Sequence, residues 1–106
     1  MTESMQNKVA LITGGSSGIG LAAAQVYIRQ GAKVVIASRR TELGEAAAEL
    51  LRQQGGEALY IQADVSQSSQ VDRLFQQTLD AYGRLDYAFN NGGSGGMGGW
   101  FVDLFF

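Results

Sequence analysis

Short apolar runs alternate along this chain with longer amphipathic ones. Residues 8–13 (KVALIT), 33–38 (KVVIAS), 58–62 (ALYIQ) and 85–89 (LDYAF) are brief and rich in apolar and β-branched side chains, so each predicts a buried strand. Between them the period lengthens. Leu43, Ala46, Ala47, Leu50 and Leu51 follow i, i+3, i+4, i+7, i+8 spacing, and Val71, Leu74, Phe75, Thr78, Leu79 and Tyr82 repeat the pattern. Each stretch predicts a helix with one face on a core. Residues 18–30 predict a first helix, small and apolar on most sides and suited to close packing on a sheet. Gly31, Gly55 and Gly83 sit just past the helical runs, where a left-handed residue ends a helix, and Ser66 is placed to cap the start of the third. The order β-α-β-α-β-α-β with short connections implies a parallel sheet with helices on both faces.

Composition narrows the chemistry. A chain of 106 residues is one domain, and one of this size buries roughly two thirds of its unfolded surface. There is no cysteine, which excludes disulfides, thiol catalysis and cysteine-metal sites, and no histidine, which removes the commonest general base. A net charge of −2 provides no electrostatic footprint for nucleic acid or an anionic membrane. The opening MTESMQNK is polar and acidic, unlike a secretory leader, and no apolar run approaches a membrane span. The expectation is a soluble, cytoplasmic domain.

The informative stretch is residues 13–20, TGGSSGIG, between the first predicted strand and the first predicted helix. Glycines at 14, 18 and 20 permit a tight turn and let a diphosphate approach without a Cβ in the way. The helix that follows aims free N–H groups and its positive dipole end at that anion. A glycine-rich turn can equally do no more than reverse the chain; the strand before and the helix after are the context a nucleotide site requires.

TGxxxGxG after KVALI resembles the cofactor loop of the short-chain dehydrogenase/reductase family, which uses NAD(H) or NADP(H). Three more positions match that family in order and spacing. Asp64-Val65 resembles the Asp-Val that contacts the adenine ring. Asn90-Asn91 resembles the Asn-Asn-Ala-Gly that braces the sheet near the nicotinamide ribose, with Gly92 in place of the usual Ala. Ser38-Arg39 falls at the family's ribose-recognition position. The resemblance implies a Rossmann-like three-layer α/β/α fold: a partial doubly wound parallel sheet of four strands in order 3-2-1-4, with three helices. It also implies cofactor contacts from Gly14, Ser16, Ser17, Gly18, Ile19, Gly20, Ser38, Arg39, Arg40, Asp64, Val65, Asn90, Asn91 and Gly92. Residues 1–91 would then be a dinucleotide-binding half domain.

An Asp or Glu at the end of the second strand would hydrogen-bond a free 2′-hydroxyl and repel a 2′-phosphate. Here Ser38 is followed by Arg39 and Arg40, and a guanidinium can grip a phosphate through two parallel hydrogen bonds. NADP(H) is the expected cofactor, NAD the less favoured one. Two arginines in a loop can also be merely solvated, and family members that prefer NADP often carry a second basic residue in the glycine loop, where position 17 is Ser. Asp64 could be only a polar strand end and Asn90-Asn91 only a turn. Tyr60 and Tyr87 read as packing residues.

The family's chemistry uses a Tyr with a Lys four residues later, a Ser upstream and a supporting Asn. No Tyr here has Lys at +4: Tyr27 is followed by Gly31, Tyr60 by Asp64, Tyr82 by Asp86 and Tyr87 by Asn91. Residues 92–106 (GGSGGMGGWFVDLFF) read either as a flexible linker or as the family's loop after the fourth strand, which often carries an apolar-Asp-Leu stretch like FVDL just before the next helix. The second reading is favoured and implies a chain cut in that loop. An uncovered fourth strand would leave an apolar edge and bare helix faces, so self-association through them is expected. Residues 100–106 could instead fold back and supply part of the cover.

Overall fold

The computed structural model describes residues 5–14, 18–90 and 101–103. The elements run β1 (Val9–Thr13), α1 (Gly18–Arg29), β2 (Lys33–Ser38), α2 (Thr41–Gln53), β3 (Glu57–Gln62), α3 (Ser68–Tyr82), β4 (Tyr87–Asn90) and β5 (Phe101–Asp103). They form a sheet in the order β3-β2-β1-β4-β5. The first four strands are parallel, in the expected 3-2-1-4 order of a Rossmann-like fold, with Val35 opposite Leu11 and Leu11 opposite Ala88.

Alternation along the strands builds two cores. On β1 and β2, Ala10, Ile12, Val34 and Ile36 face one way and meet Ala24 and Ile28 of α1 and Ala47, Ala48 and Leu51 of α2. Val9, Leu11, Val35 and Ala37 face the other way and meet Leu74 of α3, with Phe75 and Tyr82 packed alongside. Every residue of β1 is buried, as a central parallel strand covered on both faces must be. Tyr87 packs its ring on Tyr27, centroids 5.7 Å apart, as expected of a packing residue.

Several boundaries and faces differ from expectation. In α2 the buried positions are Gly44, Ala47, Ala48 and Leu51, while Leu43, Ala46 and Leu50 point to solvent. Both sets satisfy helical spacing. Gly44 falls on the inward face because the Tyr60 ring of β3 leaves no room there for a Cβ. Ser66 does not cap α3: the helix begins after Gln67, and Ser66 instead donates through its N–H and Oγ to Asp64 Oδ1, at 3.0 and 2.7 Å. A carboxylate two residues away is a stronger acceptor to satisfy than a distant amide is a donor. The expected left-handed residues are found, with φ of 95° at Gly31, 92° at Gly55 and 78° at Gly83.

The outer edge of β4 is not open. Phe101, Val102 and Asp103 pair antiparallel with Phe89, Ala88 and Tyr87, so this stretch is a strand. The reason is the row of backbone donors and acceptors that a bare β4 would present. No helix among the described residues is long and apolar enough to cross a membrane.

The N-terminal end of the central strand is fixed by a polar lock. Val9 N–H donates to Asp86 Oδ2 at 2.9 Å, and Asp86 N–H donates back to the Val9 carbonyl at 2.9 Å. Arg84 holds the same carboxylate through Nε and Nη2, both at 2.8 Å. Burial works against ionisation of Asp86. The Arg84 hydrogen bonds, the Val9 N–H and the charges of Arg84 and Lys8 outweigh it, and the carboxyl is held below the ordinary aspartate value. A folded pKa below the unfolded one stabilises above the ordinary aspartate range, and that contribution is lost as pH falls through the folded value. Asp86→Ala should therefore cost about 1–3 kcal/mol at neutral pH, mostly from a buried Val9 N–H left unpaired, with the half-exposed arginine adding little. Denaturant titrations of the two proteins should draw closer, without meeting, as pH falls below the ordinary aspartate range and through the lower folded value of Asp86; an acid slope unchanged by the substitution would show that Asp86 is not the titrating group.

Candidate dinucleotide site

The loops that follow β1, β2, β3 and β4 all leave the sheet at the C-terminal ends of parallel strands. The chain moves from β1 outward to β2 and β3, then crosses to β4 on the other side of β1. That reversal puts a topological switch point beyond the end of β1, and open α/β sheets take ligands in the crevice at such a point.

At its centre, Gly14 has φ 68° and Gly18 φ 60°, left-handed geometry that other residues adopt only with strain. Gly14 N–H donates to the Ala37 carbonyl at 2.9 Å, tying the start of the loop to the end of β2. A Cβ built on Gly18 would meet nothing within 4 Å, so the space above it is open. Gly20 is buried against the sheet, as close helix packing requires, and Ile19 stands 70% exposed beside the loop. Ser16 and Ser17 lie outside the described residues, as do Asn91 and Gly92.

On the β2 side, Ser38 is half-buried while Arg39 and Arg40 are exposed. The Ser38 carbonyl accepts two hydrogen bonds, from Ala63 N–H at 3.0 Å and from the Tyr60 hydroxyl at 2.8 Å. Arg40 is the residue before α2, in extended geometry and with no side-chain cap. The first-turn N–H groups therefore add a positive end to the two guanidinium groups, partly offset by Glu42 in the same turn. The side chains of Arg39 and Arg40 form no ion pair among the described residues.

Beyond β3, Asp64 is oriented by its neighbours. Its N–H donates to Gln70 Oε1 at 2.8 Å. The Ser66 hydroxyl and then the Ser66 N–H lower its pKa, slight burial opposes them, and the Arg39 charge lowers it further. Arg39 and Asp64 thus feel each other across the crevice. Val65 is half-buried against the α3-side core. Beyond β4, Thr13 Oγ1 donates to Asn90 Oδ1 at 2.7 Å, joining the ends of β1 and β4.

The structure thus brings Gly14, Gly18, Ser38, Arg39, Asp64 and Asn90 to one end of the sheet. The sequence reading passed over Gln70 and Thr13 as site residues and took Tyr60 for packing alone. A Tyr at a buried strand position, with a hydroxyl that must find a partner, is the signal that could have marked Tyr60. No cluster of acidic side chains suited to a metal ion occurs among the described residues.

The residues fit a dinucleotide. Two left-handed glycines, space above Gly18 that no described residue fills, a helix start behind them and an exposed isoleucine beside them suit a diphosphate and the groups flanking it.

Residues 8–102 match the family model described as short chain dehydrogenase. Over 89 residues the chain is 49% identical to "Tropinone reductase-like 2" of Erythroxylum coca, covering 84% of this chain and 31% of that protein. Among solved structures, Pseudomonas aeruginosa RhlG in its NADP active-site complex superposes with a TM-score of 0.80 at 37% identity, over 86% of this chain and 36% of that one. A short chain dehydrogenase/reductase from Burkholderia phymatum in complex with NAD gives 0.77 at 32% identity, over 82% of this chain and 31% of that one. The chain spans about a third of the length of the curated relatives it matches. On the family match, the identity to these relatives and the parallel sheet order that fits the solved structures, the chain belongs to the short-chain dehydrogenase/reductase family of nicotinamide-dinucleotide oxidoreductases.

Proposed function

We propose that this chain is the cofactor-binding part of an NADP(H)-dependent short-chain oxidoreductase acting on a carbonyl or alcohol. The observation that carries the cofactor choice is the end of β2, where no carboxylate stands and Ser38 leads into exposed Arg39 and Arg40 beside an uncapped helix start. Asp64, whose charge faces Arg39, works against that preference but also accepts bonds from Ser66, which disperse its charge.

In this reading the turn from Gly14 to Gly18 and the start of α1 receive the diphosphate. Arg39, with Arg40, grips the 2′-phosphate. Asp64 and Val65 flank the adenine, and Asn90, braced by Thr13, lies with Asn91 toward the nicotinamide ribose. Ser16, Ser17, Ile19 and Gly92 complete the loop walls. The bound nicotinamide would supply or accept the hydride. No Tyr of these 106 residues has Lys at +4, so the acid/base chemistry belongs to the whole protein and this chain alone should not turn substrate over. The reading takes the protein to be cytoplasmic. Self-association is also part of it, now through helix faces and not the β4 edge, supported by Val26 on α1 and Leu79 on α3, both exposed. Sedimentation velocity should then show species larger than a monomer as concentration rises; a monomer at all concentrations would remove this part of the proposal.

Calorimetric titration with NADPH and with NADH tests the cofactor choice. NADPH should bind more tightly, and Arg39→Ala should weaken it about 10- to 100-fold, the worth of one or two charge-assisted hydrogen bonds, while leaving NADH nearly unchanged. Equal loss for both cofactors would refute a 2′-phosphate contact. Gly18→Ala should cost about 1–2 kcal/mol of stability through its left-handed backbone. Its loss of nucleotide affinity should exceed that figure, because the new Cβ enters the space left for the diphosphate; a folded variant that binds normally would move the site elsewhere.

A further inference from the structure

The structure assigns Tyr60 a second role: through its hydroxyl it positions the Arg39 loop, and with it the discrimination between phosphorylated and unphosphorylated ribose. The inference rests on the dinucleotide reading of the site, though not on which cofactor is preferred.

Packing alone does not account for a tyrosine here. The ring lies in the apolar cluster with Ile36, Ala47 and Ala48, where phenylalanine or leucine would fill the same volume. Its hydroxyl instead reaches the end of β2 and donates to the Ser38 carbonyl at 2.8 Å, with Ser38 Oγ a further 3.4 Å contact. Ala63 N–H already occupies the other side of that carbonyl at 3.0 Å. Two donors on one carbonyl fix the plane of the peptide that joins Ser38 to Arg39, and so the direction in which Arg39 leaves the strand.

The helix is adapted to the ring. A Cβ on Gly44 would overlap Tyr60 Cε1, Cδ1 and Cζ, so α2 carries glycine at a buried position in its first turn, where alanine is intrinsically favoured. Gly44 N–H also makes the opening bond of that helix, to the Arg40 carbonyl at 3.0 Å. Ring, helix start and loop are therefore one unit. Other restraints on the loop are weak: Gln62 Nε2 to the Arg39 carbonyl and Ser38 Oγ to the Arg40 carbonyl are both 3.4 Å. Tyr60 is a positioning residue, acting on the cofactor only through Arg39.

The test is Tyr60→Phe, which keeps the ring and removes the hydroxyl, with NADPH and NADH affinities measured by calorimetry on the 106-residue protein. The NADPH-to-NADH affinity ratio should fall about 3- to 10-fold, the worth of one neutral hydrogen bond, with NADH affinity changing less than about twofold. In an Arg39→Ala background the same substitution should leave the ratio unmoved, since the group being aimed is gone. A ratio unchanged in Tyr60→Phe, or both affinities falling in parallel with thermal stability, overturns the assignment and leaves Tyr60 a structural residue. The wild-type ratio reports separately on the cofactor choice: preference for NADH refutes NADP(H) as the favoured cofactor, while the change between wild type and variant still reads Tyr60 through whatever discrimination Arg39 supplies. Binding of neither cofactor overturns both.

Discussion

The fold depends on the parallel pairing of β1 between β2 and β4. Each of its residues is buried, and its side chains feed two separate cores by simple alternation. A strand so enclosed has no water to satisfy its backbone, so both its edges must be paired and both its ends must be tied off with polar groups. At one end Asp86 and Arg84 provide the tie; at the other, Thr13 bonds Asn90 and Gly14 bonds the end of β2. The candidate site is the second of these closures. Its residues converge because four parallel strands stop at the same level.

That arrangement divides the polar chemistry of the molecule by role. At the N-terminal end of β1 the charges are matched: the Asp86 carboxylate is fully engaged by Arg84 and a backbone N–H, leaving nothing to bind a ligand. At the C-terminal ends the charges are held by the scaffold but not cancelled. Arg39 and Arg40 stand in solvent near a helix start, and Asp64 is turned by Ser66 and by the Gln70 contact to its N–H. Charge that is oriented and incompletely paired is what an anionic ligand requires.

Helix α2 shows how local preference yields to packing. Leu43, Ala46 and Leu50 form as good a stripe as Gly44, Ala47 and Ala48, and on hydrophobicity alone the leucines belong inside. The Tyr60 ring reverses that choice, because only glycine leaves room for it. In α3 Leu74, Thr78 and the half-buried Phe75 and Tyr82 sit where their spacing places them, while Leu79 of the same stripe lies exposed.

The strands, helices, sheet order and glycine turn were legible in the sequence because each depends on local periodicity and on residues next to one another. That Asp64, Arg39 and Asn90 fall at one end of the sheet was also legible, since parallel strands bring their C-terminal ends together. What only the tertiary structure decided involves partners far apart in sequence: the lock between Val9 and Asp86, the pairing of Phe101–Asp103 along β4, the face of α2 turned inward, and the hydroxyl of Tyr60 on the Ser38 carbonyl. Those contacts satisfy backbone groups or fill space left by other elements, and a pattern read along one segment carries no record of which distant group will need it.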